Sequence, residues 1–90
     1  MFNYDFTDEL KAIIKRLNKK DKKKSFIIAK KVEEIIDNDI QSIDRYKNLR
    51  SPLHYLKRVH IDQHFVLTFQ VNKENNFILF VDFDHHDNIY

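Results

Sequence analysis

Tyr55-Leu-Lys-Arg-Val-His-Ile-Asp-Gln-His-Phe-Val-Leu-Thr-Phe-Gln-Val71 and, after a polar turn, Phe77-Ile-Leu-Phe-Val-Asp-Phe-Asp-His-His-Asp-Asn-Ile-Tyr90 carry the reading of the fold. In the first stretch Phe65, Leu67, Phe69 and Val71 fall on one face, and His64, Val66, Thr68 and Gln70 on the other. A strand turns alternate residues to opposite sides, so the pattern is a sheet with one apolar and one mixed side. Three strands are predicted, over residues 53–61, 64–71 and 77–83. Asp62-Gln63 is a tight connection and 72–76 a longer one, which makes the three an antiparallel meander. The last strand is apolar on both sides and is therefore expected in the middle of the sheet.

Upstream, residues 2–6 alternate and read as a short first strand. Thr7 is a candidate N-cap, with Asp8 and Glu9 in the first turn of a helix, where acidic groups suit its dipole. Leu10, Ile13, Ile14 and Leu17 follow with amphipathic helical spacing. Asp21 can cap a second helix with Ile28, Val32, Ile35 and Ile36 on its buried face, fading near Asn38. Residues 38–52 read as a polar loop with a helical turn and Ile40 and Ile43 as anchors. The predicted fold class is therefore α+β, with a short strand and a helical hairpin packed on one face of a mainly antiparallel sheet.

The 90 residues make a single domain, 1–90. There is no cysteine, so no disulfide framework and no thiolate site. No stretch has the length or apolarity of a signal peptide or a membrane span, which makes the cytoplasm the expected compartment. Glycine is also absent, so turns must use Asn, Asp and Pro52. The net charge of +2 excludes nothing by itself. Lys19, Lys20, Lys22, Lys23 and Lys24 crowd the turn between the helices; they read as a solvated tip, or else as a surface facing phosphates.

The mixed side of the sheet holds the candidates for chemistry. Arg58 and His60 share it with His64, and unbroken alternation through the last strand puts Asp82, Asp84 and His86 on the side of Ile78 and Phe80. Arg58, His60, His64 and His86 would then converge. Such a set suits cleavage of RNA without metal: imidazoles move the protons, and a guanidinium grips the phosphate. Blander readings stand beside this one. Arg58 can form a surface ion pair with Asp62 or Asp82, His60 and His64 can be edge-strand surface residues, and Tyr90 can simply pack its ring. His85 and His86 lie between Asp84 and Asp87, but neighbours in a strand point opposite ways, which argues against a metal site. No cofactor is expected.

Arg58-Val-His-Ile-Asp-Gln-His-Phe-Val-Leu-Thr-Phe69 and the ending Phe80-Val-Asp-Phe-Asp-His-His-Asp-Asn-Ile-Tyr90 resemble the C-terminal half of RelE/ParE-superfamily toxins of type II toxin–antitoxin systems, and the preceding strand and hairpin also fit. The resemblance is to the RelE-like branch. It implies a ribosome-dependent mRNA endonuclease neutralised by a cognate antitoxin, with mRNA on the ribosome as the other partner. In that reading Arg58, His86, Tyr90 and His85 are catalytic, and Lys57, His60 and His64 touch RNA. Many members carry a further arginine in the next strand, where this chain has His64-Phe65, and no arginine follows Arg58. The alternatives are a non-nuclease toxin acting on DNA gyrase, and an inactive relative that binds RNA or antitoxin.

Overall fold

The computed structural model describes residues 1–89. Strand β1 (Asn3–Phe6) leads into helices α1 (Asp8–Lys20) and α2 (Lys22–Ile36). A 3-10 turn (Ser42–Arg45), strands β2 (Lys57–Ile61), β3 (Phe65–Asn72) and β4 (Phe77–His85), and a closing helical turn α3 (His86–Ile89) follow. The sheet order is β1-β4-β3-β2. The meander β2–β3–β4 is antiparallel, and β1 adds to β4 in parallel. The α+β class, the hairpin on one face and the central place of the last strand are as the sequence implies.

The helices start where the side chains allow. Thr7 Oγ1 accepts the Leu10 N–H at 3.2 Å, and Asp21 Oδ1 accepts the Lys24 N–H at 3.1 Å. Each satisfies a backbone donor that the first turn leaves without a partner. Leu10, Ile28, Val32, Ile35 and Ile36 then meet Ile61, Leu67, Phe69, Ile78, Phe80 and Phe83 in one core between hairpin and sheet. Without glycine, the left-handed positions fall to Asp62 (φ 60°) and Asn76 (φ 52°), residue types whose short polar side chains tolerate that region. Ile43 anchors the long loop as expected, being fully buried, whereas Ile40 is exposed. Residues 53–56 lie outside β2, in turns rather than strand.

One departure matters for the site. In the β3–β4 ladder Thr68 pairs with Asp82 but Phe69 pairs with Phe80, so Val81 is an extra residue, a β-bulge. The alternation of β4 reverses there. Ile78 and Phe80 enter the core before the bulge, Phe83 after it. Asp82 and Asp84 therefore lie on the side away from the helices, not on the side of Ile78 and Phe80. The sequence carries no glycine or other marker at Val81 to announce the shift.

Candidate functional site

Strand register sorts the candidate residues into three places. Arg58 pairs with Thr68 and His60 with Val66, while Asp82 and Asp84 flank the same two residues from the other side. These four side chains share the face turned away from the helices. His60 is exposed there and Arg58 half-buried. Beside them the loop after the 3-10 turn folds over, and Arg58 and Ile89 line a cavity of about 620 Å³ together with Asn48, Leu49, Arg50 and Leu53.

Lys57 is placed elsewhere. It pairs with Phe69 on the core side and is 7 % exposed. Its ammonium donates to the Tyr46 carbonyl at 3.0 Å and to Asn48 Oδ1 at 3.1 Å, and lies 3.4 Å from Asp44 Oδ1. A lysine so engaged ties the loop to the sheet and does not face an RNA backbone, which corrects the expectation for Lys57. The supporting carboxylates are shifted accordingly. Asp44 is held below the ordinary aspartate value, first by the hydrogen bond from Lys73 and then by the Lys73 and Lys57 charges. Glu34 is likewise lowered, first by the Tyr46 hydroxyl, 2.5 Å from its Oε2, with Lys31 and Arg45 adding to it.

The third place is the end of the sheet where β3 begins and β4 stops. His64 and His85 stack in parallel, 5.9 Å between ring centroids, and His85 stacks on His86 at 5.0 Å and 28°. Phe65 closes the base, edge-on to His85 at 5.6 Å and stacked on Phe83 at 5.2 Å. The Lys24 ammonium, from the lysine-rich hairpin tip, sits 4.0 Å over the Phe65 ring. This helps only where the ring face is negative and the cation partly desolvated. The tip therefore abuts the histidine cluster.

His85 and His86 do not point opposite ways. His85 ends β4, and the chain turns at once into α3, which breaks the strand alternation. Asp84 Oδ1 organises this turn by accepting from the His85 N–H at 2.7 Å and from Asn88 Nδ2 at 3.1 Å. The His86 N–H donates to the His64 carbonyl at 2.9 Å, and His86 Nδ1 lies 3.4 Å from the same oxygen. Asp87 then reaches both rings, 3.5 Å from His85 Nδ1 and 3.0 Å from His86 Nε2. The sequence raises Asp87 only as a metal ligand, and strand alternation sets it aside there. Its signal is the third residue of the His-His-Asp run, readable only once a helical turn is granted there. Tyr90 lies outside the described residues.

The fold thus brings His64, His85 and His86 together at the end of the sheet, with His85 paired to Phe65 on the helix side. Arg58 and His60 lie on the opposite face, where α3 returns far enough for Ile89 to share a cavity with Arg58, and Lys57 is apart. Three imidazoles can carry protons, and the guanidinium can hold an anion.

No family model matches the chain. A protein of Methanocaldococcus jannaschii named "Putative toxin RelE4" is 51 % identical over 90 residues, covering all of this chain and 92 % of that one. The crystal structure of a metal-bound toxin from Helicobacter pylori superposes with a TM-score of 0.76 at 18 % identity, covering all of both chains. YoeB in the YoeB–YefM complex of Staphylococcus aureus gives 0.76 at 21 %, covering 96 % of this chain and 98 % of that one. The two structures share the fold, and the archaeal relative, matched along the whole chain, shows the kinship. The chain belongs to the RelE family of toxins from toxin–antitoxin systems.

Proposed function

We propose that this toxin is a ribosome-dependent mRNA endonuclease that cleaves without metal, using the RNA's own 2′-hydroxyl. The observation that carries the reading is the stack of His64, His85 and His86 at the end of the sheet, from which α3 turns back so that Ile89 shares a cavity with Arg58. One imidazole takes the 2′-hydroxyl proton as the oxygen attacks the adjacent phosphorus. Another gives a proton to the departing 5′-oxygen, leaving a 2′,3′-cyclic phosphate and a 5′-hydroxyl. Arg58 stabilises the extra charge on the phosphorane. His86 is the assigned proton carrier, because the His64 carbonyl and Asp87 fix its ring from two sides. His85, stacked on it, is the alternate. His60 and His64 contact the RNA, and Tyr90 stacks on or orients a base.

A cognate antitoxin is the proposed protein partner, and the cytoplasm the proposed compartment. The structural relative solved with YefM supports a protein partner, and no helix among the described residues is long and apolar enough to cross a membrane. The test is primer extension on translated mRNA. Cuts that vanish in the His85→Ala/His86→Ala variant support the reading; unchanged cuts remove both residues from it. The lack of any arginine after Arg58 favours a second reading, a toxin that binds DNA gyrase. Inhibited supercoiling with intact mRNA would be its result.

A further inference from the structure

We infer that His85, His86 and Asp87 form a binding site for a divalent transition-metal ion of the zinc, nickel or copper type. Each residue offers a donor atom, and the donors all lie within 4.8 Å of one another. The separations suit a shared ion. Bonds of 2.0–2.1 Å in a tetrahedron put neighbouring donors about 3.3 Å apart. Asp87 Oδ1 is 3.0 Å from His86 Nε2, and Asp87 Oδ2 is 3.5 Å from His85 Nδ1. Small side-chain rotations close the set, because the two histidine rings already lie nearly parallel on one side of the turn.

The outer contacts fit as well. A metal-bound imidazole normally donates its other N–H to a carbonyl or carboxylate, which fixes the tautomer. The His64 carbonyl stands 3.4 Å from His86 Nδ1, leaving Nε2, the nitrogen beside Asp87, to bind. The ion must displace one existing contact, the Asp87 N–H donating to His85 Nδ1 at a long 3.3 Å. Two imidazoles and one carboxylate favour borderline ions over magnesium or calcium, which prefer all-oxygen shells. The rings are half-buried and Asp87 is exposed, so the ion enters from solvent and keeps at least one position for water.

A consequence follows that rests on the proposed nuclease reading. A metal on His86 Nε2 occupies the lone pair that would carry the proton, so bound zinc switches cleavage off.

The experiment is calorimetric titration of the EDTA-stripped, full-length chain with Zn2+ and, separately, Mg2+. One Zn2+ per chain is expected, with no Mg2+ binding. His86→Ala and Asp87→Asn should each weaken zinc binding about tenfold or more. Imidazole NMR of the unsubstituted protein should show zinc shifting His85 and His86 but not His54 or His60, a readout that needs no variant to fold. A folded chain that binds no zinc, or zinc affinity unchanged in the double histidine variant, overturns the site. Zinc binding with no cleavage of translated mRNA by the zinc-stripped toxin in a Mg2+-containing translation reaction leaves the site standing and sinks the nuclease reading. Cleavage undiminished in the zinc-loaded toxin overturns the switch.

Discussion

The Thr7 hydroxyl donates to the carbonyl of Val81, 2.5 Å away across 74 residues of sequence. Val81 is the residue that the β3–β4 ladder skips. The same Thr7 oxygen accepts the Leu10 N–H at the start of α1. One hydroxyl thus caps a helix and satisfies the bulge that turns Asp82 and Asp84 toward the Arg58 face. Thr7→Val keeps the shape and removes both bonds. It is expected to cost about 1–3 kcal/mol in chemical denaturation, with Thr7→Ser recovering most of it.

Lys57 is expected to matter to stability rather than to RNA. Lys57→Met keeps the apolar stem but leaves the buried Tyr46 carbonyl without its donor. A loss of roughly 1.5–3 kcal/mol is expected, the range for hydrogen bonds to charged groups. Activity per folded molecule, measured at a temperature where the variant is fully folded, should stay near that of the parent.

Glu34 supplies a pH signature. Its carboxyl is lowered in the folded state, chiefly by the Tyr46 hydroxyl, so its contribution is present above the ordinary glutamate value of about 4.3 and is lost as pH falls through the folded-state value. The side chain is 41 % exposed, so screening keeps the effect below about 1 kcal/mol. Glu34→Gln should be less stable than the parent at pH 7, and the two denaturation curves should draw together towards pH 3.

Arg58 gives the sharpest test of the phosphate grip. Arg58→Lys keeps the charge but loses the two-pronged hydrogen bonding that a guanidinium offers. Cleavage of translated mRNA is expected to fall about tenfold for lysine and about 100-fold or more for alanine. Equal rates for arginine and lysine would mean that only charge is needed there.

Much of this architecture can be read from the chain because its signals are local. Thr7 and Asp21 cap the helices they precede, and Asp62 and Asn76 take the left-handed turns that glycine would otherwise fill. The site is less legible because it depends on two breaks in periodicity. The bulge at Val81 reverses which residues of β4 face the helices, and the turn into α3 brings two adjacent imidazoles onto one side. Alternation counting assumes an unbroken strand, so it put Ile78 and Phe80 on the side of Asp82 and Asp84, whereas they enter the core, and it separated His85 from His86. Lys57 misled for a different reason: its neighbour Arg58 is on the functional face, and a lysine on the other parity is usually solvated rather than buried against a carbonyl.

The parallel seam between the first strand and the last has a kinetic side. The meander β2–β3–β4 is joined by short connections and can zip up locally, whereas β1 must find β4 from the far end of the chain. Closing so long a loop has an entropic cost, and such contacts form slowly. The amino-terminal strand should therefore dock last and peel away first. While it is away, the rim of β4 is bare and the Val81 carbonyl has lost its donor, so the earliest step of unravelling also loosens the end of the molecule where the imidazoles gather.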